Sequence, residues 1–296
     1  MGPMRALFSA LFALAAAAVG SCAPAAPASE PALWRITDAD SEIWLYGTVH
    51  MLPPDLEWRG PRFEAAFARA EEFVTETDTG EAAVREINRL TQELGALPAD
   101  ESLSRQLEPN DVGRLQRVAH LLSLEASTLE RQRPWLAALQ LSYAATLRAG
   151  HRPEAGVEAV LMPEARARGL KLSYLETAAQ QIEILASLPP ADEARFLSQT
   201  LIDIEAGTDA LTAMDTAWAR GDVEELARVL EPQWRDVGPG IHEAIILERN
   251  RAWADEVARR LDGSGRIFIA VGAAHLVGDD SVVDLLRARG IAVEGP

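Results

Sequence analysis

Two short segments far apart in the sequence share one unusual pattern, an apolar, β-forming run followed by Gly-x-x-His. Residues 43–50 read IWLYGTVH and residues 267–275 read IFIAVGAAH, so the motifs end on His50 and His275. Runs rich in β-branched and aromatic residues that stop at Gly predict buried strands. Open α/β sheets bind ligands just beyond the carboxyl ends of their strands. We therefore expect both histidines at one such edge, either in a functional site or as hydrogen-bonded loop residues.

The rest of the chain predicts an α/β (α+β) fold, with a central mixed sheet, strand–Gly-x-x-His edges and a large, mostly helical insertion. A hairpin is expected first, because turn formers separate the first two strand-like runs. A helix that begins at Pro61 then connects two strands as a βαβ unit, whose strands run parallel. Glu76 would therefore share a sheet edge with His50. The predicted strands beside the motifs cover residues 33–36, 42–46, 73–78, 171–177 and 291–294, and the helical region covers about 80–260.

The helical region contains an apolar residue at every fourth position after Pro134, and such a stripe is typical of a core. The repeat consists of Trp135, Leu139, Tyr143 and Leu147. The stretch 232–240 is expected to break the helices, since it contains Pro and Gly. His120 is expected to be a surface or packing residue, and His151, after Gly150, a loop residue.

The first residues are typical of an exported protein. Arg5 precedes a small, apolar run that is too short to span a bilayer, so residues 1–22 are interpreted as a signal peptide. Residues 19–22 (VGSC) resemble a lipoprotein cleavage box, which would leave Cys22 as a lipid-modified first residue; ordinary cleavage nearby is the alternative. Residues 23–31 are interpreted as an Ala/Pro tether, and residues 32–296 as one domain. We expect a periplasmic or outer-membrane-associated protein.

Composition narrows the class of partner. The net charge of −17 argues against nucleic acid, because phosphate binding requires clustered Lys and Arg. Cys22 is the only cysteine, so a disulfide within the chain is excluded. The sequence contains no Gly-x-Ser-x-Gly elbow, phosphate loop or dinucleotide fingerprint.

Two neutral imidazoles and a carboxylate can form a divalent-metal site with open positions, and Zn, Mn, Fe and Co all remain candidates. His50, His275 and Glu76 are the predicted ligands, and Glu76 is alternatively a general base. Hydrolysis is the natural reaction of such a site. Glu176 is a second candidate for either role, or braces the sheet edge. Haem binding remains open, because histidine is also an axial haem ligand.

A second pair of candidates lies on a predicted helix. Arg249 can stabilise an oxyanion or bind a substrate carboxylate, and Asn250 can donate or accept a hydrogen bond. The alternative for Arg249 is a surface salt bridge, which contributes little stability.

Taken together, these segments resemble the TraB/GumN family, which includes the Tiki-type proteases. The resemblance covers about residues 33–293 and rests on GTVH, VTETD, RPW, KLSYLETAAQQ, LERNRAW and AVGAAHLVGDDSVVDLLRARGIAVE. It implies a metal-dependent hydrolase, with a peptidase as the first candidate, on an α/β core similar to the erythromycin-esterase and haem-binding ChaN folds. It also implies that the paired histidines, Glu76 and the Arg249–Asn250 pair belong to the site.

Three hypotheses about function follow. The first is an envelope hydrolase that cuts a peptide or other acyl bond with a divalent metal ion. The second is an envelope protein that binds haem or a metal without turnover. The third is a non-catalytic component of polysaccharide export or assembly. The sequence leaves the oligomeric state open.

Overall fold

The computed structural model describes residues 30–296, so the predicted signal peptide, Cys22 and nearly all of the tether lie outside the described residues. The described chain forms a six-stranded mixed sheet surrounded by helices, which confirms the predicted fold class. The strands are β1 (Leu33–Thr37), β2 (Ser41–Thr48), β3 (Glu72–Thr75), β4 (Lys171–Tyr174), β5 (Gly265–Gly272) and β6 (Val293–Glu294).

Helices occupy most of the chain between β3 and β5. The helices are α1 (Pro61–Arg69), α2 (Glu81–Leu94), α3 (Leu103–Gln106), α4 (Pro109–Leu121), α5 (Pro134–Arg148), α6 (Val157–Ala167), α7 (Ala178–Ala186), α8 (Pro190–Ala206), α9 (Asp209–Ala219), α10 (Val223–Val237), α11 (Pro239–His242), α12 (Glu248–Leu261) and α13 (Val282–Ala288). One turn of π-helix, Glu243–Leu247, joins α11 to α12. Among the described helices, none is long and apolar enough to cross a membrane.

The strand order is β4-β3-β5-β2-β1-β6. The four strands β4, β3, β5 and β2 are parallel, whereas β1 pairs antiparallel with both β2 and β6. The predicted hairpin is therefore confirmed. β5 lies between β2 and β3, so the strands of the βαβ unit are parallel but not direct neighbours. Because β2 and β5 pair in register from Ser41 to Thr48, the two Gly-x-x-His motifs leave the sheet side by side.

The central strands of the sheet are buried on both faces, and alternate residues of each strand point to opposite faces. One face, with Tyr46 and Phe268, packs against α1, α6, α9 and α10. The other face, with Leu45 and Ile269, packs against α12 and α13. Such double coverage is typical of parallel strands and explains why the motif segments are continuous apolar runs.

The helices α4, α5 and α8 enclose a separate apolar core, and here the predicted stripe is wrong. Trp135 is fully buried, but Leu139 and Tyr143 are exposed. A helix turns about 100° per residue, so a four-residue repeat drifts by about 40° at each step and leaves the core face. The buried face of α5 instead uses Ala137, Ala138 and Leu141.

Several boundaries are narrower than the sequence predicts. Pro232 lies inside α10, so within the expected break at 232–240 the helix ends just before Gly238, which has a positive φ of 100°. The strands predicted at 73–78, 171–177 and 291–294 shorten to β3, β4 and β6. His151 does follow Gly150 in a loop, but it is only 4% exposed.

Candidate functional site

The candidate site lies at the edge where the parallel strands end. His50 follows β2, His275 follows β5, Glu76 follows β3 and Glu176 follows β4. Glu76 therefore shares this edge with His50, as the parallel arrangement requires. Helix α12 supplies Arg249 and Asn250 from the adjoining layer.

His275 is held as a neutral imidazole. Its Nδ1 lies 2.7 Å from Oδ1 of Asn250, and Nη1 of Arg249 lies 3.1 Å from its Nε2. An arginine can only donate, so Nε2 must accept and Nδ1 must carry the proton. Burial lowers the pKa of His275 to about 3, and the positive charges of Arg249 and His50 act in the same direction. The ring of Trp253, 4.4 Å away between centroids, covers one face of the imidazole.

Asn250 orients this histidine. While its Oδ1 faces His275, its Nδ2 donates to the carbonyl oxygen of Asp280 at 2.9 Å. Both ends of the amide are thereby used and the side chain is 1% exposed. Asn250 is therefore in a position to fix the tautomer of the imidazole.

Glu76 is a buried carboxylate whose two oxygens are both occupied. Oε1 accepts the backbone N–H of Gly272 at 2.7 Å, and Oε2 accepts Nη2 of Arg249 at 2.6 Å and Nε2 of Gln181 at 3.3 Å. Burial opposes its ionisation, but the positive charges of Arg249 and His50 and the hydrogen bond from the Gly272 N–H outweigh that effect and hold the pKa of Glu76 below its usual range.

Arg249 connects the groups of this edge. Its guanidinium donates to both oxygens of Glu176, to Glu76 and to His275, and Nη1 also reaches the carbonyl oxygen of Ile245 at 3.1 Å. Its side chain is 13% exposed, and its Cζ lies 4.6 Å from the centre of the Trp253 ring. The preceding turn is the π-helical segment, and single π turns inside helices are frequent at functional sites.

His50 has a carboxylate partner that the sequence interpretation missed. Its Nδ1 lies 3.0 Å from Oε1 of Glu158 on α6, and the same oxygen accepts the hydroxyl of Thr48. The other carboxylate oxygen, Oε2, is buried and has no hydrogen-bond partner among residues 30–296. The negative charge of Glu158 raises the pKa of His50 to about 9, and that of Glu76 contributes in the same direction. His50 is the exposed member of the site, with 65% of its side chain accessible.

The backbone at Val49 and His50 packs closely against the start of α6. Val157 N–H donates to the carbonyl oxygen of Val49, and a Cβ on Gly156 would lie only 2.0 Å from the carbonyl oxygen of His50. Only glycine therefore allows α6 to begin this close to His50. The approach of α6 is what brings Glu158 to the imidazole.

A buried His–Asp pair lies near the same segment. Nε2 of His151 and Oδ2 of Asp215 on α9 are 2.7 Å apart, and the backbone of the adjacent Arg152 pairs with Leu52. This pair was also missed, because a histidine after a glycine stop resembles a solvent-exposed loop residue. His120, by contrast, is exposed as expected.

The side chains fit a divalent ion in donor type and in tautomer. A metal-binding imidazole normally donates its other N–H to a fixed acceptor, which is the relation of His275 to Asn250. Within residues 30–296, however, no three His, Cys, Asp or Glu side chains converge closely enough to hold an ion. The guanidinium of Arg249 lies between the predicted ligands and donates hydrogen bonds to His275 and Glu76. An ion at these two ligands would therefore compete with Arg249.

A known protein family covers nearly all of the described chain. The model of the TraB/PrgY/gumN family matches residues 32–295. The chain belongs to this family. The resemblance inferred from the sequence motifs is thereby confirmed.

Three bacterial proteins are similar to this TraB/PrgY/gumN member along most of their length. The uncharacterized protein YbaP of Escherichia coli strain K12 is 25% identical over 87% of this chain and 92% of its own. YbaP of Shigella flexneri is 25% identical over 82% and 87%, and an uncharacterized protein of Treponema pallidum strain Nichols is 24% identical over 88% and 81%. No solved structure matches the chain significantly.

Proposed function

We propose that this protein is a hydrolase of peptide or other acyl bonds, and that a divalent metal ion takes part in the reaction. The observation that carries the proposal is the state of His275, a neutral ring whose Nε2 lone pair accepts from Arg249, which also donates to Glu76, while Asn250 fixes its Nδ1–H. A lone pair oriented in this way can bind a metal ion. The same edge combines it with carboxylates and a cation, the groups that acyl transfer requires.

In this proposal, His50, His275 and Glu76 hold the ion, which is Mn, Co, Zn or Fe. A bound divalent ion would lower the pKa of a water molecule and polarise the carbonyl group under attack. Arg249 must first release Nη1 from His275 and Nη2 from Glu76. Its two bonds to Glu176 remain available to hold the guanidinium at the edge of the site.

The chain's own groups then have separate roles. Nη1 and Nη2 of Arg249 donate to the negative charge that develops on the substrate carbonyl oxygen. Glu76 is the carboxylate that accepts a proton where it is not bound to the ion. Glu158 holds the Nδ1 proton of His50, so that Nε2 of this exposed ring is the nitrogen that loses its proton and offers a lone pair when the ion binds. Asn250 positions His275 and does not touch the substrate.

We propose that the protein acts in the cell envelope. The apolar segment before Cys22 supports export, and the VGSC sequence supports lipid anchoring through that cysteine. Labelling of the expressed protein with a radioactive fatty acid, with Cys22→Ser as the control, tests the anchor. Label that persists in the Cys22→Ser variant would contradict it.

Metal content and peptide cleavage test the reaction. We expect about one divalent ion per chain by mass spectrometry, and loss of the ion in a His50→Ala, His275→Ala double variant. Peptide mixtures incubated with the protein and each candidate metal should yield fragments that disappear with Glu76→Gln. Absence of both binding and cleavage after supplementation with Mn, Co, Zn and Fe would refute the proposal.

A further inference from the structure

A cleft of about 680 Å³ opens beside the candidate site. Its walls come from α10, from α11 with the π-helical turn, and from the loop after β5. Asn250, which holds His275, lines the cleft, as does Ala274, which precedes His275 in the chain. The cleft therefore lies next to the sheet edge where the reaction is proposed, on the Asn250 side of His275.

The inner surface of the cleft is apolar and aromatic. Leu230, Ile246 and Val277 contribute aliphatic side chains. The indole of Trp234 and the imidazole of His242 stack at 5.4 Å between centroids, with 18° between their planes. Burial lowers the pKa of His242, so this flat surface is uncharged at neutral pH.

The arginines of the rim are already neutralised by neighbouring carboxylates. Arg228 pairs with Glu225, and Arg235 pairs with Asp236 at 3.1 Å. Both arginines are exposed, and each is already paired with a carboxylate. Neither therefore provides a free positive charge to the interior of the cleft. An anionic ligand group would find no free partner in these two arginines, whereas an apolar group would displace water from Leu230, Trp234 and Ile246.

We infer that this cleft binds a large apolar or aromatic side chain of a polypeptide, close to the bond that the site cleaves. The inference rests on the proposed hydrolase function. Binding sites of this kind are typically 300–1,000 Å³ and mostly apolar, with few polar groups. An aromatic side chain buries about 150–250 Å² and prefers to pack against other rings, which Trp234 and His242 provide.

Fluorescence polarisation with labelled heptapeptides tests the inference without requiring turnover. The peptides contain Gly and Ser except at the central position, which is Phe, Trp, Ala or Glu. Binding is measured with a His50→Ala variant, whose exposed ring can be removed without disturbing the core. We expect the Phe and Trp peptides to bind at least tenfold more tightly than the Ala and Glu peptides.

Two variants connect the preference to the cleft. Trp234→Ala and Val277→Asp, each added to His50→Ala, should reduce the preference for Phe or Trp at least tenfold. Tyr143→Ala, which removes an exposed aromatic ring on α5, should leave it unchanged. Val277→Asp provides an independent result if Trp234→Ala fails to fold, which circular dichroism would detect.

The outcomes separate this inference from the proposed function. Selective binding that both variants abolish supports the cleft assignment even if no peptide is hydrolysed. Equal binding of all four peptides, or selectivity that survives both variants, overturns it even if peptides are hydrolysed. A Soret band on haem titration that His242→Ala abolishes would also overturn it, since haem would then be the occupant.

Discussion

Arg249 gives the most informative perturbation, because it pairs with two buried carboxylates where the metal ion is proposed to bind. Replacement by Met keeps the packing of the stem against Trp253 and removes every donor. Glu76 and Glu176, whose side chains are 9% and 7% exposed, would then be left without their cation. Breaking a buried ion pair by removing one partner costs about 3–5 kcal/mol. For a chain of this size, we expect a fall in Tm of about 10 °C without added metal.

A divalent ion should reverse much of this loss. In Arg249→Met the guanidinium no longer competes for the lone pairs of His275 and Glu76, so the ion should bind more tightly than in the wild type. At a free ion concentration about 100 times Kd, binding adds about 2.7 kcal/mol to the free energy of unfolding. Thermal unfolding with and without Mn, Co or Zn should therefore show a larger metal-dependent rise in Tm for Arg249→Met than for the wild type.

A partly buried arginine with a buried carboxylate partner provides the control. Arg133 donates to the buried Glu193 and to two backbone carbonyl oxygens, none of which belongs to the candidate site. Arg133→Met should also lower Tm, but added metal should not restore it beyond the wild-type response. The reasoning is refuted if Arg249→Met gains no more from metal than the wild type, or if Arg133→Met gains as much.

Three further predictions concern individual contacts. Glu158→Gln removes the main charge that raises the pKa of His50 to about 9, so the imidazole should titrate at lower pH by NMR. His50→Ala identifies the signal, and an unchanged titration midpoint would exclude the His50–Glu158 pair. Asn250→Leu leaves Nδ1–H of His275 without its acceptor and should weaken metal binding about 10–100-fold in calorimetry, whereas Asn250→Asp should retain most of it. Burial opposes the ionisation of Glu72, but hydrogen bonds hold its pKa in the folded state below 4.5. The stability that the Glu72 carboxylate contributes is therefore present above pH 4.5 and is lost as the pH falls through the pKa of the folded state. Glu72→Gln should accordingly lower Tm at neutral pH and make the acid limb of a Tm-against-pH curve shallower; a parallel curve would contradict this.

Much of the sheet could be predicted from the sequence, because its signals are local. An apolar run that ends in Gly-x-x-His predicts both the strand and the point where the chain leaves the sheet. The parallel direction of β2 and β3 followed from the helix between them, and it brought Glu76 to the edge of His50. The insertion of β5 between those strands depends on pairing across more than 190 residues, for which a single sequence contains no local signal.

The same distinction explains the missed residues. Glu158 meets His50 only because α6 begins at a glycine packed against the His50 carbonyl, 106 residues after it in the chain. A glutamate in the first turn of a helix is common for electrostatic reasons alone, so its sequence position gave no indication of this contact. His151 similarly depends on a partner from a helix that begins at Asp209. Pairwise contacts of this kind follow from packing, not from periodicity.

The net charge of the sheet edge, with Arg249 as its permanent cation, predicts how the binding of a metal ion depends on pH. The edge contains three negatively charged carboxylates, those of Glu76, Glu176 and Glu158, and one permanent positive charge, that of Arg249. With His275 neutral, protonation of His50 leaves one uncompensated negative charge, and deprotonation leaves two. A divalent ion that binds the free Nε2 of His50 would neutralise this excess while Arg249 stays on Glu176. Binding should therefore release a proton, and metal affinity should rise with pH until His50 is fully neutral. Affinity that is flat across pH 6–9 would show that the ion does not replace the proton of His50.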